Sequence, residues 1–221
     1  MEISEENYAY LVGKVMGDGH IDKNHTVKLV GQKEDLIQIK EYFDLPSKIY
    51  KKEGYSISYY LNLSVKIGRL LSAKGTPIGK KTIIQFLVPN WILNGTDKVK
   101  KMFLQGILED ELTTIKIEKK TYSIKPQFKM SKSKELLSNH RLFLSQIKSL
   151  IEEKGIECSK ISDPKRKKDQ TSWDLYFCLN RNKKNILKFE KNIGFRFNKM
   201  KKLQLEECVK ILRASLKSKP L

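Results

Sequence analysis

The chain has 221 residues, 39% of them hydrophobic, enough for one large domain or two small ones with a core that needs no disulfides. Its 44 Lys and Arg outnumber 25 Asp and Glu, and a net charge of +19 calls for a polyanion, nucleic acid ahead of an acidic membrane surface. Cys158, Cys178 and Cys208, odd in number and far apart, exclude a disulfide framework or paired-cysteine zinc site and point to a reducing, intracellular compartment.

The spacing predicts a first helix from Ser4, an N-cap with Glu5 and Glu6 behind it, to about Gly17. Tyr8, Leu11, Val12, Val15 and Met16 recur at helical intervals, while Gly13 and Gly17 form a neighbouring stripe. A glycine costs roughly 1 kcal/mol against alanine inside a helix, so the pair implies close approach by another helix. After Asp18-Gly19, residues His20 to Val30 alternate as in a strand, and Lys33 to Phe43 reads as a helix stopped before Pro46. Ser47–Lys52 and Tyr55–Val65 form an expected hairpin about Gly54, followed by a helix from Ile67 to Ala73. Gly75, Pro77 and Gly79 punctuate a loop, and Pro89 to Gly95 make a second break.

The order then begins again. Val99 to Asp110 is a helix, Thr114 to Lys132 holds two strands around Lys119-Lys120, and Ser133 to Lys154 is a long helix ended by Gly155. Glu157–Ile161 and Trp173–Leu179 read as a hairpin joined by the basic loop Asp163–Gln170, with closing helices near Asn185 and from Lys201 to Leu216. This is an internal duplication, with halves at 1–96 and 97–221. No apolar run approaches the roughly 18 residues that span a bilayer. The opening MEISEENYAY lacks signal-peptide order, so a soluble, full-length chain is expected.

The two equivalent helices end in Leu11-Val12-Gly13-Lys14-Val15-Met16-Gly17-Asp18-Gly19 and Leu104-Gln105-Gly106-Ile107-Leu108-Glu109-Asp110-Glu111-Leu112. In these segments the chain resembles the LAGLIDADG homing endonucleases of the single-chain, two-motif type. The likeness extends to Gln32-Lys33 before a helix and to the run Leu61-Asn62-Leu63-Ser64-Val65-Lys66. Two departures stand out: Asp110 lies where the motif has a small residue, and Leu112 replaces its terminal glycine. The resemblance implies an α+β, pseudo-twofold duplicated αββαββα fold, its motif helices paired and its saddle-shaped antiparallel sheets laid over DNA. It implies metal-dependent hydrolysis of both strands of a long double-stranded site by a monomer.

Packing through glycine stripes would bring Asp18 and Glu111 together, and hard carboxylate oxygens suit Mg²⁺, with Mn²⁺ a substitute. An Asp-Gly standing alone would be only a helix cap; the matching acid in a duplicated chain argues otherwise. Aligning Gly106 with Gly13 selects Glu111 over Asp110, and the family pattern adds the backbones of Gly17 and Asp110 as metal ligands. Gln32 resembles the family's water-ordering residue, with Lys132 its equivalent; Lys66 resembles the active-site lysine, matched by Arg181 or Lys183. His20, His25 and His140 show no metal-ligand spacing. Candidates to face DNA are Lys23, His25, Lys28, Lys51, Tyr59, Lys116, Lys125, Gln127, Lys129 and Tyr176, their strand parity open, with Lys165, Arg166, Lys167 and Lys168 as phosphate contacts. Two alternatives use the same scaffold: a maturase acting on host intron RNA, and a DNA-binding protein without cleavage.

Overall fold

The computed structural model describes residues 4–52, 58–116, 126–168 and 171–217. Helix α1 (Glu5–Met16) begins as expected on Ser4, whose hydroxyl accepts the N–H of Asn7. The stretch expected as one strand is two, β1 (His20–Ile21) and β2 (Val27–Gly31). Asp22 divides them, because its Oδ1 accepts the N–H groups of Asn24 and Thr26 and so folds the chain back through His25 at φ 61°. Helix α2 (Lys33–Tyr42), strands β3 (Ile49–Lys52) and β4 (Ser58–Leu63) and helix α3 (Val65–Ala73) complete an αββαββα series. Its antiparallel sheet has the order β1-β2-β4-β3.

A connecting segment follows, with a 3₁₀ turn at Lys81–Ile83 and the short helix α4 (Asn90–Leu93). The second series starts with α5 (Asp97–Glu111), capped by Thr96. Strand β5 (Gln127–Lys132) lies in the region expected to hold two strands; residues around Lys119-Lys120 fall outside those described. Helix α6 (Leu137–Glu152), strands β6 (Lys165–Arg166) and β7 (Trp173–Cys178), and helices α7 (Lys183–Asn192) and α8 (Lys199–Lys217) follow. This sheet has the order β5-β7-β6.

The expected partner of β7 is corrected only in part. Residues 157–161 do lie antiparallel beside β7, with a bridge from Cys158 to Leu179 and a bond from the Ser159 N–H to Cys178 O at 2.8 Å, but they form no regular strand, and part of the presumed basic loop is itself a strand, pairing Lys165 with Asp174 and Arg166 with Trp173. Serine hydroxyls break the regular ladder: Ser159 Oγ and Ser162 Oγ accept the N–H groups of Cys178 and Tyr176, which strand carbonyls would otherwise take.

The two series meet through α1 and α5, packed at their glycines. A Cβ on Gly13 would lie 2.3 Å from Phe103 O, and one on Gly106 would lie 2.3 Å from Tyr10 O. The contact is backbone on backbone, and only glycine permits it. On either side the inner sheet faces pack down, Val27, Leu29, Leu61 and Leu63 in one, Phe128, Met130, Leu175 and Phe177 in the other. Among the described residues no helix is long and apolar enough to cross a membrane.

Candidate active site

With Gly13 set against Gly106, the C-terminal ends of α1 and α5 lie side by side, and Asp18, just past the end of α1, meets Asp110 in the last turn of α5 across the seam. The N–H of Asp18 donates to Asp110 Oδ2 at 3.0 Å. That carboxylate also fills the space beside Gly17, where a Cβ would come within 2.6 Å of Oδ2. Its other oxygen pairs with the ammonium of Lys14, and both side chains are almost wholly buried. Burial pushes the Asp110 carboxyl up to about 6, although Lys14 opposes the shift. Glu111 is pushed up to about 8, first by burial and then by the charges of Asp18 and Asp110. The structure thus gathers Asp18, Asp110 and Glu111 against one another.

Two lysines answer this charge from below. The Lys81 ammonium donates to Val15 O at 2.7 Å, to Met16 O at 3.2 Å and to Gly17 O, the free carbonyls at the end of α1. Lys201 does the same for α5, donating to Glu109 O at 2.7 Å, Asp110 O at 3.4 Å and Leu112 O at 2.6 Å. Burial holds both ammonium groups below the ordinary lysine pKa while the neighbouring acids pull the other way. Sequence reasoning missed both residues. Each belongs to a Lys-Lys dyad, Lys81 closing Lys80-Lys81 and Lys201 leading Lys201-Lys202, but among 44 basic residues a dyad carries no mark of burial.

Of the other expected site residues, Gln32 lines the same cleft as Lys14, Asp18, Asp35, Asp110, Asn198 and Lys201. The structure does not bring Lys66, Arg181 or Lys132 to the acids. Lys66 is exposed on the first turn of α3, as is Arg181 on the rim of a depression beside β7. Lys132 follows Phe128 and Met130 on the inner face of β5 and is buried; its ammonium donates to Lys81 O at 2.6 Å and to Ile84 O, 3.8 Å from the Phe86 ring centre. Burial and the charge of Lys81 lower its pKa to about 8.

The sheets resolve the open parity. Lys28, Asn62, Tyr60 and Tyr50 share the outer face of the first sheet, where Lys28 sits 5.4 Å from the Tyr60 ring centre and Tyr50 stacks on Tyr60. Lys51 and Tyr59 belong to the opposite row, and Tyr59 packs on the core, so in these two strands it is Tyr50 and Tyr60 that share the outer face. In the second sheet Gln127, Lys129, Tyr176 and Lys165 do share the outer face, with Ser131 and Asp174 between them. Asp174 binds the Ser131 hydroxyl and lies 3.4 Å from Lys129 Nζ. Arg166 pairs with Trp173 in the inner row of Lys132. Lys23, Lys116, Lys167 and Lys168 are exposed, whereas the His25 ring turns inward, its Nδ1 3.2 Å from Ser72 Oγ on α3. Lys125 lies outside the described residues.

Among the described residues no three His, Cys, Asp or Glu side chains are grouped to hold a metal by themselves. The donors that do suit a hard divalent cation are the carboxylates of Asp18 and Glu111 and the carbonyls of Gly17 and Asp110. Those carbonyls already carry a positive group each, the ammonium of Lys81 or Lys201.

Among solved structures, the crystal structure of I-DmoI in complex with DNA and Ca matches 93% of the chain and 100% of its own, with a TM-score of 0.53 at 14% identity. The fold is that of I-DmoI. A variant of I-DmoI, in complex with its target DNA and Mn, matches 90% of the chain with a TM-score of 0.50 at 15% identity. The α+β architecture expected from the motifs is thus the one observed. No family model matches the sequence. Curated relatives include an RNA polymerase subunit Rpo1N of Methanocaldococcus jannaschii, 31% identical over 195 residues that make up 76% of this chain. They also include a tRNA-splicing ligase RtcB of Methanopyrus kandleri, 25% identical over 89% of the chain. The replication factor C small subunit of Methanocaldococcus jannaschii is 29% identical over 87%. The chain spans only 14%, 21% and 11% of these proteins.

Proposed function

We propose that the chain is a site-specific DNA endonuclease of the LAGLIDADG homing type, which uses a divalent metal, Mg²⁺ with Mn²⁺ as substitute, to cut both strands of a long duplex site. The observation that carries this reading is the meeting of Asp18 with the second motif helix across the Gly13–Gly106 seam, with a lysine at each helix end. Asp18 and Glu111, with the Gly17 and Asp110 carbonyls, would hold the metal. When bound, such an ion activates water and offsets charge on the leaving oxygen. Lys81 and Lys201 place positive charge beside the acids and would oppose charge building on the scissile phosphate. Gln32, in the same cleft, would orient water. The outer sheet faces would read the duplex, Lys28 and Tyr60 on one arm, Lys129, Asp174 and Tyr176 on the other.

The curated relatives support a portable unit. One stretch recurs as 11–21% of proteins bearing unrelated names, so we read it as a DNA-cutting element carried within longer chains, apart from the activities those names describe. Because both motifs lie on one chain, one copy should serve each site.

The test is cleavage of a plasmid holding the sequence formed by joining the flanks of this reading frame. Linear product with Mg²⁺ or Mn²⁺, and none with chelator, is expected. Tight binding without nicking in either metal would replace this reading with that of a non-catalytic DNA-binding protein.

A further inference from the structure

Lys81 and Lys201 each cap a motif helix, and each segment that carries them takes a hydrogen bond from the opposite series. The 3₁₀ turn bearing Lys81 is fixed from the end of β5: Lys132 Nζ donates to Lys81 O at 2.6 Å and to Ile84 O, and the Ser133 N–H donates to Thr82 O at 2.8 Å. The lead into α8 is tied to its own series by Glu109, whose Oε1 accepts the N–H groups of Arg196 and Phe197, and the first turn of α8, bearing Lys201, takes a further bond from α2: the N–H of Lys199 donates to Asp35 Oδ1 at 3.0 Å. Asp35 is 8% exposed and Lys132 1%. The two anchors lie in the same region of each series without being equivalent positions, Asp35 in the first turn of α2 and Lys132 at the end of β5.

Lys132 is an unusual choice for a core position. Among the described residues it pairs with no carboxylate, and its ammonium is satisfied by two backbone carbonyls above an aromatic ring. An apolar side chain would fill the site without the cost of burying a charge, so what the lysine adds is the fixed position of the carbonyls it binds. Both of these carbonyls belong to the turn that presents Lys81. Asp35 is likewise a buried carboxyl whose described hydrogen bond is to the backbone that presents Lys201.

We propose that Lys132 and Asp35 are crosswise positioning residues, Lys132 setting Lys81 at the end of α1 and Asp35 setting Lys201 at the end of α5. The seat of each cation at its helix end is then completed by a bond from the opposite series. Neither series assembles its half of the site alone, a safeguard against unpaired nicking. The strand-cutting consequence rests on the endonuclease reading; the anchoring itself does not.

The experiment compares the wild-type chain with Lys132→Met, Asp35→Ala and Asp35→Asn. Backbone hydrogen exchange is followed without DNA or metal, and nicking rates of the two strands are followed separately on an end-labelled duplex. Lys132→Met retains volume and removes a buried charge, so the variant should fold. Faster exchange is expected at 81–86 in Lys132→Met and at 198–204 in Asp35→Ala, each with the other segment unchanged. Each variant should slow a different strand by about tenfold, the worth of one well-placed hydrogen bond in the transition state, with DNA affinity nearly unchanged. Asp35→Asn keeps an acceptor for the Lys199 N–H and should restore both readouts. Unchanged exchange at 81–86 in Lys132→Met, or equal slowing of both strands by both variants, would overturn the crosswise assignment. If the wild type cut nothing while exchange followed this pattern, the endonuclease reading would fail and the anchoring would stand.

Discussion

At the scale of single residues, the site separates acids that hold charge in place from acids that would do chemistry. Asp110 is committed to Lys14 and to the Asp18 backbone, while Asp18 is exposed and Glu111 half-buried at the mouth. Asp18→Asn and Glu111→Gln should therefore each abolish double-strand cleavage yet leave specific DNA binding intact, checked by cleavage and affinity measurements on one duplex; normal cutting by Glu111→Gln would refute the assignment. Lys14→Met should instead act on stability. It strands the buried Asp110 carboxylate and should cost about 3 kcal/mol in denaturant unfolding, much of it recovered when Asp110→Asn is added. The register that picked Glu111 was legible because two glycines could be aligned; the ion pair was not, because nothing local to Lys14 says which residue faces it 96 positions away.

At the scale of elements, two contacts set the geometry. Gly106→Ala would drive a methyl into the Tyr10 carbonyl at 2.3 Å, and backbone cannot yield as a side chain can. The expected loss is about 3 kcal/mol on melting, with cleavage lost as the helix ends part. The second contact joins α6 to β5, where fully buried His140 directs Nε2 at Met130 O at 3.1 Å. Burial lowers its pKa to about 4; Met130 O opposes that shift, Lys132 adds to it, and Asp174 opposes it. The folded state thus favours the neutral ring, and protons bind the unfolded chain first. The resulting stability is complete above the ordinary value of 6.5 and is lost as pH falls through 4, to a limit of about 3 kcal/mol. Unfolding measured across that range should show this slope in the wild type and a flatter one in His140→Gln.

For the whole molecule, the net charge of +19 and two sheet faces carrying lysine beside tyrosine favour an extended duplex footprint. DNA affinity should fall by about a thousandfold or more between 50 and 200 mM salt, as expected when several phosphates are neutralised at once. A binding curve nearly flat in salt would restrict contact to a few phosphates and remove the sheets from the interface.

The sequence by itself determined the first helix of each series, its ends and the glycine stripes through which the two helices pack, since hydrophobic period, glycine spacing and capping residues act within a few positions of one another. It also determined that charge would seek a polyanion. Only the tertiary structure decided which cations serve the acids. Lys66 and Arg181 fitted by position in the chain, but Lys81 and Lys201 fit by the carbonyls they reach. Strand parity was likewise settled by pairing: Tyr59 and Tyr60 are neighbours of the same type, and only the cross-strand register sends one to the core and the other outward. Lys132 looks like surface charge in the sequence and is buried in the fold, because a lysine's placement depends on acceptors brought in from elsewhere in the chain.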